Sequence, residues 1–140
     1  MKKIKIMLLF FSALLLVACT DSSKNDELKA YVSDFENSGF KNKAGQIIVL
    51  LDEGIMIDSH VLRGQSDKKS NIDKVLEKEN IPLNQQFNKI YKDATIKTVG
   101  SKYYITLEEN IKLEFEKIGL RIIQDPEGVE YYTQEYSEEN

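Results

Sequence analysis

The sequence predicts an α+β domain in which an N-terminal helix packs on a mostly antiparallel sheet of about six strands, with a short helical insertion. Three observations predict it. Residues 26–38 carry apolar side chains at helical spacing, the second half of the chain alternates with period two, and short glycine-containing turns separate the alternating runs. Such turns make hairpins, and hairpins make antiparallel sheets.

Each element follows from its residues. In 26–38, Leu28, Val32 and Phe35 fall at i, i+4 and i+7 beside Tyr31, with Lys29, Asp34 and Glu36 on the other face. Asn25 or Asp26 can cap the start, and Gly39 suits the end. Residues 46–51 form a continuous apolar strand, Asp52-Glu53-Gly54 is turn chemistry, and residues 55–62 alternate as its hairpin partner. The polar stretch 63–70 contains Gly64 and reads as a loop. A short helix over 71–79 places Ile72, Val75 and Leu76 on one side, with Pro82 stopping it or starting the next turn. Residues 83–91 show Phe87, Ile90 and Tyr91 at helical spacing and are read as helix. Two strands, 94–99 and 102–107, flank Gly100-Ser101, a glycine-first turn of type II′ character. Ile111, Leu113 and Phe115 alternate with Lys112, Glu114 and Glu116, which gives one wet face. Gly119 marks a bulge or bend before 120–124. Asp125-Pro126-Glu127-Gly128 fits a type I turn, and 129–136 alternates again. The Tyr pairs 103–104 and 131–132 should each send one ring inward and one outward.

Ahead of this domain lies a leader. Lys2, Lys3 and Lys5 precede an apolar run from Ile6 to Val17, broken only by Ser12, and Ala18 and Cys19 close it. A basic start, a short apolar core and a small residue at the end define a secretory signal. The run is shorter than the ~20 residues that span a bilayer. Leu16-Val17-Ala18-Cys19 resembles the lipobox of bacterial lipoproteins. That resemblance implies a diacylglycerol on the Cys19 sulfur, cleavage between Ala18 and Cys19, and palmitate-type anchoring at the extracytoplasmic face of a cell membrane. It implies 1–18 as signal peptide and 19–25 as lipidated tether; the length and pattern of the rest predict 26–136 as a single domain and 137–140 as an acidic tail. Helix-then-meander order also looks like the small cystatin-like and NTF2-like lipoproteins of Gram-positive bacteria, a likeness of topology that transfers no site residue.

Charge bounds the partners. Three of the 19 basic residues lie in the leader, so the mature chain sets 16 against 23 acidic residues and carries −7 rather than −4. Nucleic acid is therefore not an expected partner, because its affinity comes from counterion release to Lys and Arg. An acidic surface also repels anionic headgroups and wall polymers, which predicts a domain held off the membrane. Cys19 is the only cysteine, so no internal disulfide can form, and the covalent lipid is the only expected cofactor.

Chemistry is sparse. His60, the only histidine, stands two residues after Asp58 on a predicted strand and so shares its face. The pair is the one acid–base candidate; Ser59 points to the opposite face. No second His and no spare Cys exist to build a zinc site, so no metal is expected. Glycine-rich phosphate loops and a Gly-x-Ser-x-Gly nucleophile motif are absent from the sequence. The expectation is a non-catalytic, membrane-anchored binding module with an envelope protein, a wall component or a small ligand as partner. Three alternatives stand beside it: exclusion or toxin immunity for a mobile element, a peptide pheromone cut from residues 11–18, and an envelope enzyme using Asp58 and His60.

Overall fold

A computed structural model describes residues 28–36, 38–60, 68–82 and 85–133. Nine strands, β1 (Phe40–Asn42), β2 (Ile47–Leu51), β3 (Gly54–Ser59), β4 (Phe87–Tyr91), β5 (Thr95–Val99), β6 (Lys102–Glu108), β7 (Ile111–Gly119), β8 (Ile122–Gln124) and β9 (Glu130–Thr133), form one sheet. Every neighbouring pair is antiparallel. The order β4-β3-β2-β1-β9-β8-β7-β6-β5 leaves the consecutive strands β4 and β5 at the two edges, and the sheet curls into a half-barrel. Among the described residues one α-helix, α1 (Asn71–Lys78), lies in sequence between β3 and β4. Its apolar stripe of Ile72, Val75 and Leu76 is fully buried with Phe35, Ile48, Ile57, Tyr103, Phe115 and Tyr131 in a single core.

Period two holds in most strands because one face is buried. In β7, Ile111, Leu113 and Phe115 face the core while Lys112 and Glu116 stay exposed. Tyr103 and Tyr131 are buried, with Tyr104 40 % exposed and Tyr132 partly so. The β5–β6 hairpin closes at Val99 and Lys102 around Gly100-Ser101, with Gly100 at φ 59° and Ser101 outside the positive region. That is the glycine-first turn expected. Gly119 lies at a register shift between β7 and β8, as a bulge requires.

Three expectations are corrected. The helix expected over 26–38 is not present among the described residues of that segment, 28–36 and 38, which hold only a single 3₁₀ turn, Val32–Phe35. Leu28 and Val32, two members of the supposed stripe, are 43 % and 38 % exposed, so no apolar face is buried along this segment. Local side-chain bonds hold it instead, with the Asp34 carboxylate taking the Tyr31 N–H. The helix read over 83–91 is strand β4 from Phe87 onward, paired with β3 from Ser59↔Phe87 to Ile55↔Tyr91; residues 83 and 84 lie outside the described residues. Phe87 and Tyr91 are four apart, a spacing that a helix and a strand both place on one face. Among the described residues nine strands rather than about six are present, β1 and β4 being the unexpected ones. Of the two roles expected for Pro82, the second holds: it starts the next turn by accepting from Gln85 N at 3.0 Å, while α1 has already stopped at Lys78. Its end is a Schellman arrangement in which Asn80 (φ 57°) donates to Glu77 O and Ile81 donates to Leu76 O.

Candidate functional site

Leu16, Val17, Ala18 and Cys19, the residues of the lipobox-like motif, lie outside the described residues. Asp58 and His60 are brought together. Both follow from the outward face of β3, and His60 Nε2 stands 3.0 Å from Asp58 Oδ2. Asn88 on β4 donates to the other oxygen of Asp58 at 3.0 Å, a bond set by the register pair Asp58↔Asn88. Asp58 is nearly buried while His60 is 57 % exposed. The carboxylate therefore orients an imidazole that faces solvent, a geometry that serves proton transfer. Ser59 turns the other way, and its buried Oγ has no hydrogen-bond partner.

A second feature lies at the start of α1, where three distant parts of the chain meet. The β1–β2 turn brings Asn42, Lys43, Ala44 and Gln46; the approach to α1 brings Lys68 and Ser70, and its first turn Asp73; the β8–β9 turn and the start of β9 bring Gly128, Val129 and Glu130. Together they line a cleft of about 300 Å³, at the lower end of ordinary ligand pockets. Its walls are tied by a closed set of hydrogen bonds. Ser70 caps the helix by accepting from the Asp73 N–H at 3.0 Å, and Asp73 accepts the Ser70 N–H in return. Gln46 Nε2 donates to Asp73 at 2.8 Å. Its Oε1 accepts from Ser70 Oγ at 2.7 Å and from Asn42 at 2.8 Å. Asn42 and Gln46 are buried, so these bonds exchange little with water and hold the wall rigid.

Asp125 supports the cleft from behind. One oxygen accepts from Asn71 N at 2.9 Å and the Tyr131 hydroxyl at 3.1 Å. The other accepts from the N–H groups of Glu127 and Val129 at 3.1 and 3.0 Å. One carboxylate thus fixes the helix start, the core tyrosine and the β8–β9 turn. Burial, together with the Asp125 charge, pushes the Tyr131 hydroxyl far above its ordinary pKa, so it stays a donor. Gly128 is at φ 85°, and a Cβ there would stand 3.1 Å from Lys68 Nζ, so the glycine lets that ammonium approach the turn.

A charged clamp binds the N-terminal segment to the sheet. Lys117 is 7 % exposed on the core face of β7 and donates to Asp34 at 3.0 Å and to Lys29 O at 3.2 Å. Tyr103 donates to the same Asp34 oxygen at 2.5 Å. Burial pushes the Asp34 carboxyl up, but the Tyr103 hydroxyl, the Tyr31 N–H and the Lys117 ammonium outweigh it and hold the pKa below its ordinary 3.8.

Sequence reasoning missed the cleft and the clamp. Ser70-Asn71-Ile72-Asp73 carried a readable signal, since Ser-x-x-Asp before an apolar run marks a capping box. Gln46 and Asn42 carried none. Among the described residues, no group of three His, Cys, Asp or Glu could hold a metal ion. In comparison with known proteins, no family model, no curated protein and no solved structure matches the chain.

Proposed function

We propose that this chain is a surface lipoprotein, anchored through Cys19 to the extracytoplasmic face of a cell membrane, and that it works as a non-catalytic binding module. The lipobox-like motif supports the anchor. The observation that carries the binding role is the cleft at the start of α1. Lys43 offers an ammonium donor, Glu130 offers a carboxylate, and a rigid wall of buried amides stands behind them. Such a lining suits a small ligand or an extended peptide that carries donors and acceptors together.

Two experiments test this. Palmitate labelling of the full chain beside Cys19→Ala, in a Gram-positive host, should show label and membrane fractionation that need Cys19. Amide spectra of the full chain, titrated with short peptides and soluble wall fragments, should show saturable shifts around Gln46 and Asp73. Ala44→Trp, which adds bulk to the lining of the cleft, should abolish those shifts.

One observation favours a second reading. The Asp58–His60 contact, with Asn88 orienting the carboxylate, is what a general acid–base pair needs. A turnover activity lost in His60→Ala would replace the binding role with an enzymatic one.

A further inference from the structure

The exposed large apolar side chains are not scattered. Eight occur among the described residues, and six of them, Leu28, Tyr31, Val32, Val99, Ile118 and Leu120, fall in three short segments. Those segments are bonded to one another. Ala30 N donates to Gly100 O at 2.8 Å, joining the N-terminal segment to the β5–β6 turn. Lys117 N donates to Ser101 O at 2.7 Å, joining that turn to the end of β7. Lys117 Nζ donates to Lys29 O at 3.2 Å and closes the set. Val99 and Leu120, 68 % and 80 % exposed, stand at the tips of two hairpin turns. An apolar rim on this scale is a feature of interaction sites.

The occupant follows from where the chain outside the described residues joins the domain. Leu28, a member of the rim, is the first described residue, and Cys19 lies nine residues before it. Nine residues reach roughly 30 Å at full extension, so a lipid on Cys19 keeps the rim within about one domain diameter of the bilayer. The rim also has the side chains of a membrane interface. The Tyr31 ring has Lys29 Nζ 5.6 Å from its centre, and tyrosine belongs at the headgroup level with lysine beside it. Arg121 follows Leu120 in the same turn. Glu108, Glu109, Glu127 and Glu130 sit at the cleft end of the sheet, while Glu36, Asp52, Glu53 and Glu116 sit at the rim end.

We infer that this rim docks on the bilayer that carries the anchor, with the Val99 and Leu120 turns dipping into the headgroup region. The inference rests on the reading of Cys19 as the lipidated residue. It also orients the cleft. The 119–121 turn precedes β8 and the 125–129 turn follows it, so the rim and the cleft lie at opposite ends of that strand. Docking by the rim turns the cleft away from the membrane.

The test uses the full lipid-bearing chain, reconstituted in vesicles of phosphatidylcholine and phosphatidylglycerol that contain a headgroup-level nitroxide lipid. With Cys19 acylated, a fluorophore can be placed on Leu120→Cys or, at the cleft end, on Lys43→Cys. Quenching at Leu120 at least about threefold stronger than at Lys43, and reduced to the Lys43 level by Val99→Asp with Ile118→Asp, is the expected result. Both added substitutions are at exposed positions. Equal quenching at the two sites in a chain that carries the lipid overturns docking and leaves the anchor standing. A chain without the diacylglyceryl mass on Cys19 overturns both. Leu120 fluorescence that is protected without lipid quenching overturns docking in favour of another occupant. Dye–dye contact in that case marks a second copy, and its absence marks the protein's own leader or tether.

Discussion

Removing the Asp34 carboxylate should loosen the attachment of the N-terminal segment more than any other single change there. In Asp34→Ala, Lys117 keeps its 7 % exposure but is left with Lys29 O at 3.2 Å as its hydrogen-bond partner. Breaking a buried ion pair from one side costs about 3–5 kcal/mol. Asp34 retains 20 % side-chain exposure, so water softens the loss and the lower end, about 3 kcal/mol, applies. Lys117→Met keeps the apolar stem and leaves Asp34 with two neutral donors, Tyr103 and the Tyr31 N–H. Losing one charge-assisted bond there should cost about 1.5–2 kcal/mol. The double variant removes both charges together, so its loss should fall about 2 kcal/mol short of the sum of the two single losses. Urea denaturation of the four proteins measures these differences. Hydrogen exchange at Ala30, whose amide bonds Gly100 O at 2.8 Å, shows whether the segment opens alone or with the whole domain. An Asp34→Ala variant within about 0.5 kcal/mol of the parent, or strictly additive losses, would refute the clamp.

Acid should release the same clamp. The Asp34 pKa is depressed, so its contribution is complete above the ordinary 3.8 and lost as pH falls through the lower folded value; Ala30 exchange should report this at higher pH in Lys117→Met. Asp125→Ala leaves four donors without their acceptor, two of them on the buried Asn71 N–H and Tyr131 hydroxyl, and should cost about 3 kcal/mol in denaturant melts, with Asp125→Asn intermediate. Gly54→Ala would set a Cβ 2.3 Å from Tyr91 O, forcing β3 and β4 apart, whereas Gly100→Ala meets nothing within 4 Å and bears only its φ of 59°. The first should lose at least about 3 kcal/mol and the second about 1–2 kcal/mol, and the reverse order would sink the packing argument. Asn80→Gly should raise the unfolding midpoint, by up to about 1 kcal/mol, because Asn80 holds the left-handed position that ends α1. A lower midpoint would show that the Asn80 side chain contributes more than its backbone costs.

Much of the framework was legible in the sequence because one-sided burial writes period two directly. Strands β2, β3, β5, β6 and β7, the Gly100 turn, the Gly119 bulge and helix α1 all follow from local spacing and glycine placement. The shared face of Asp58 and His60 follows from the same period. Two strands escaped for different reasons. Residues 40–42 are too few to show any period. Phe87 and Tyr91 satisfy both periods, and the unpaired edge of β3 decided between them. At the N-terminus the helical spacing of Leu28, Val32 and Phe35 was present, but only Phe35 found a partner surface, against Phe40 and Tyr103. Helical spacing stabilises a helix only where its face is buried. The cleft and the clamp were beyond local reading altogether. Gln46 meets Asp73 across 27 positions, Asn71 meets Asp125 across 54, and Asp34 meets Lys117 across 83. A polar side chain carries no period that names its partner. The sequence by itself therefore determined which segments pair and which faces they bury, while the curl of the sheet around α1 decided which polar groups converge.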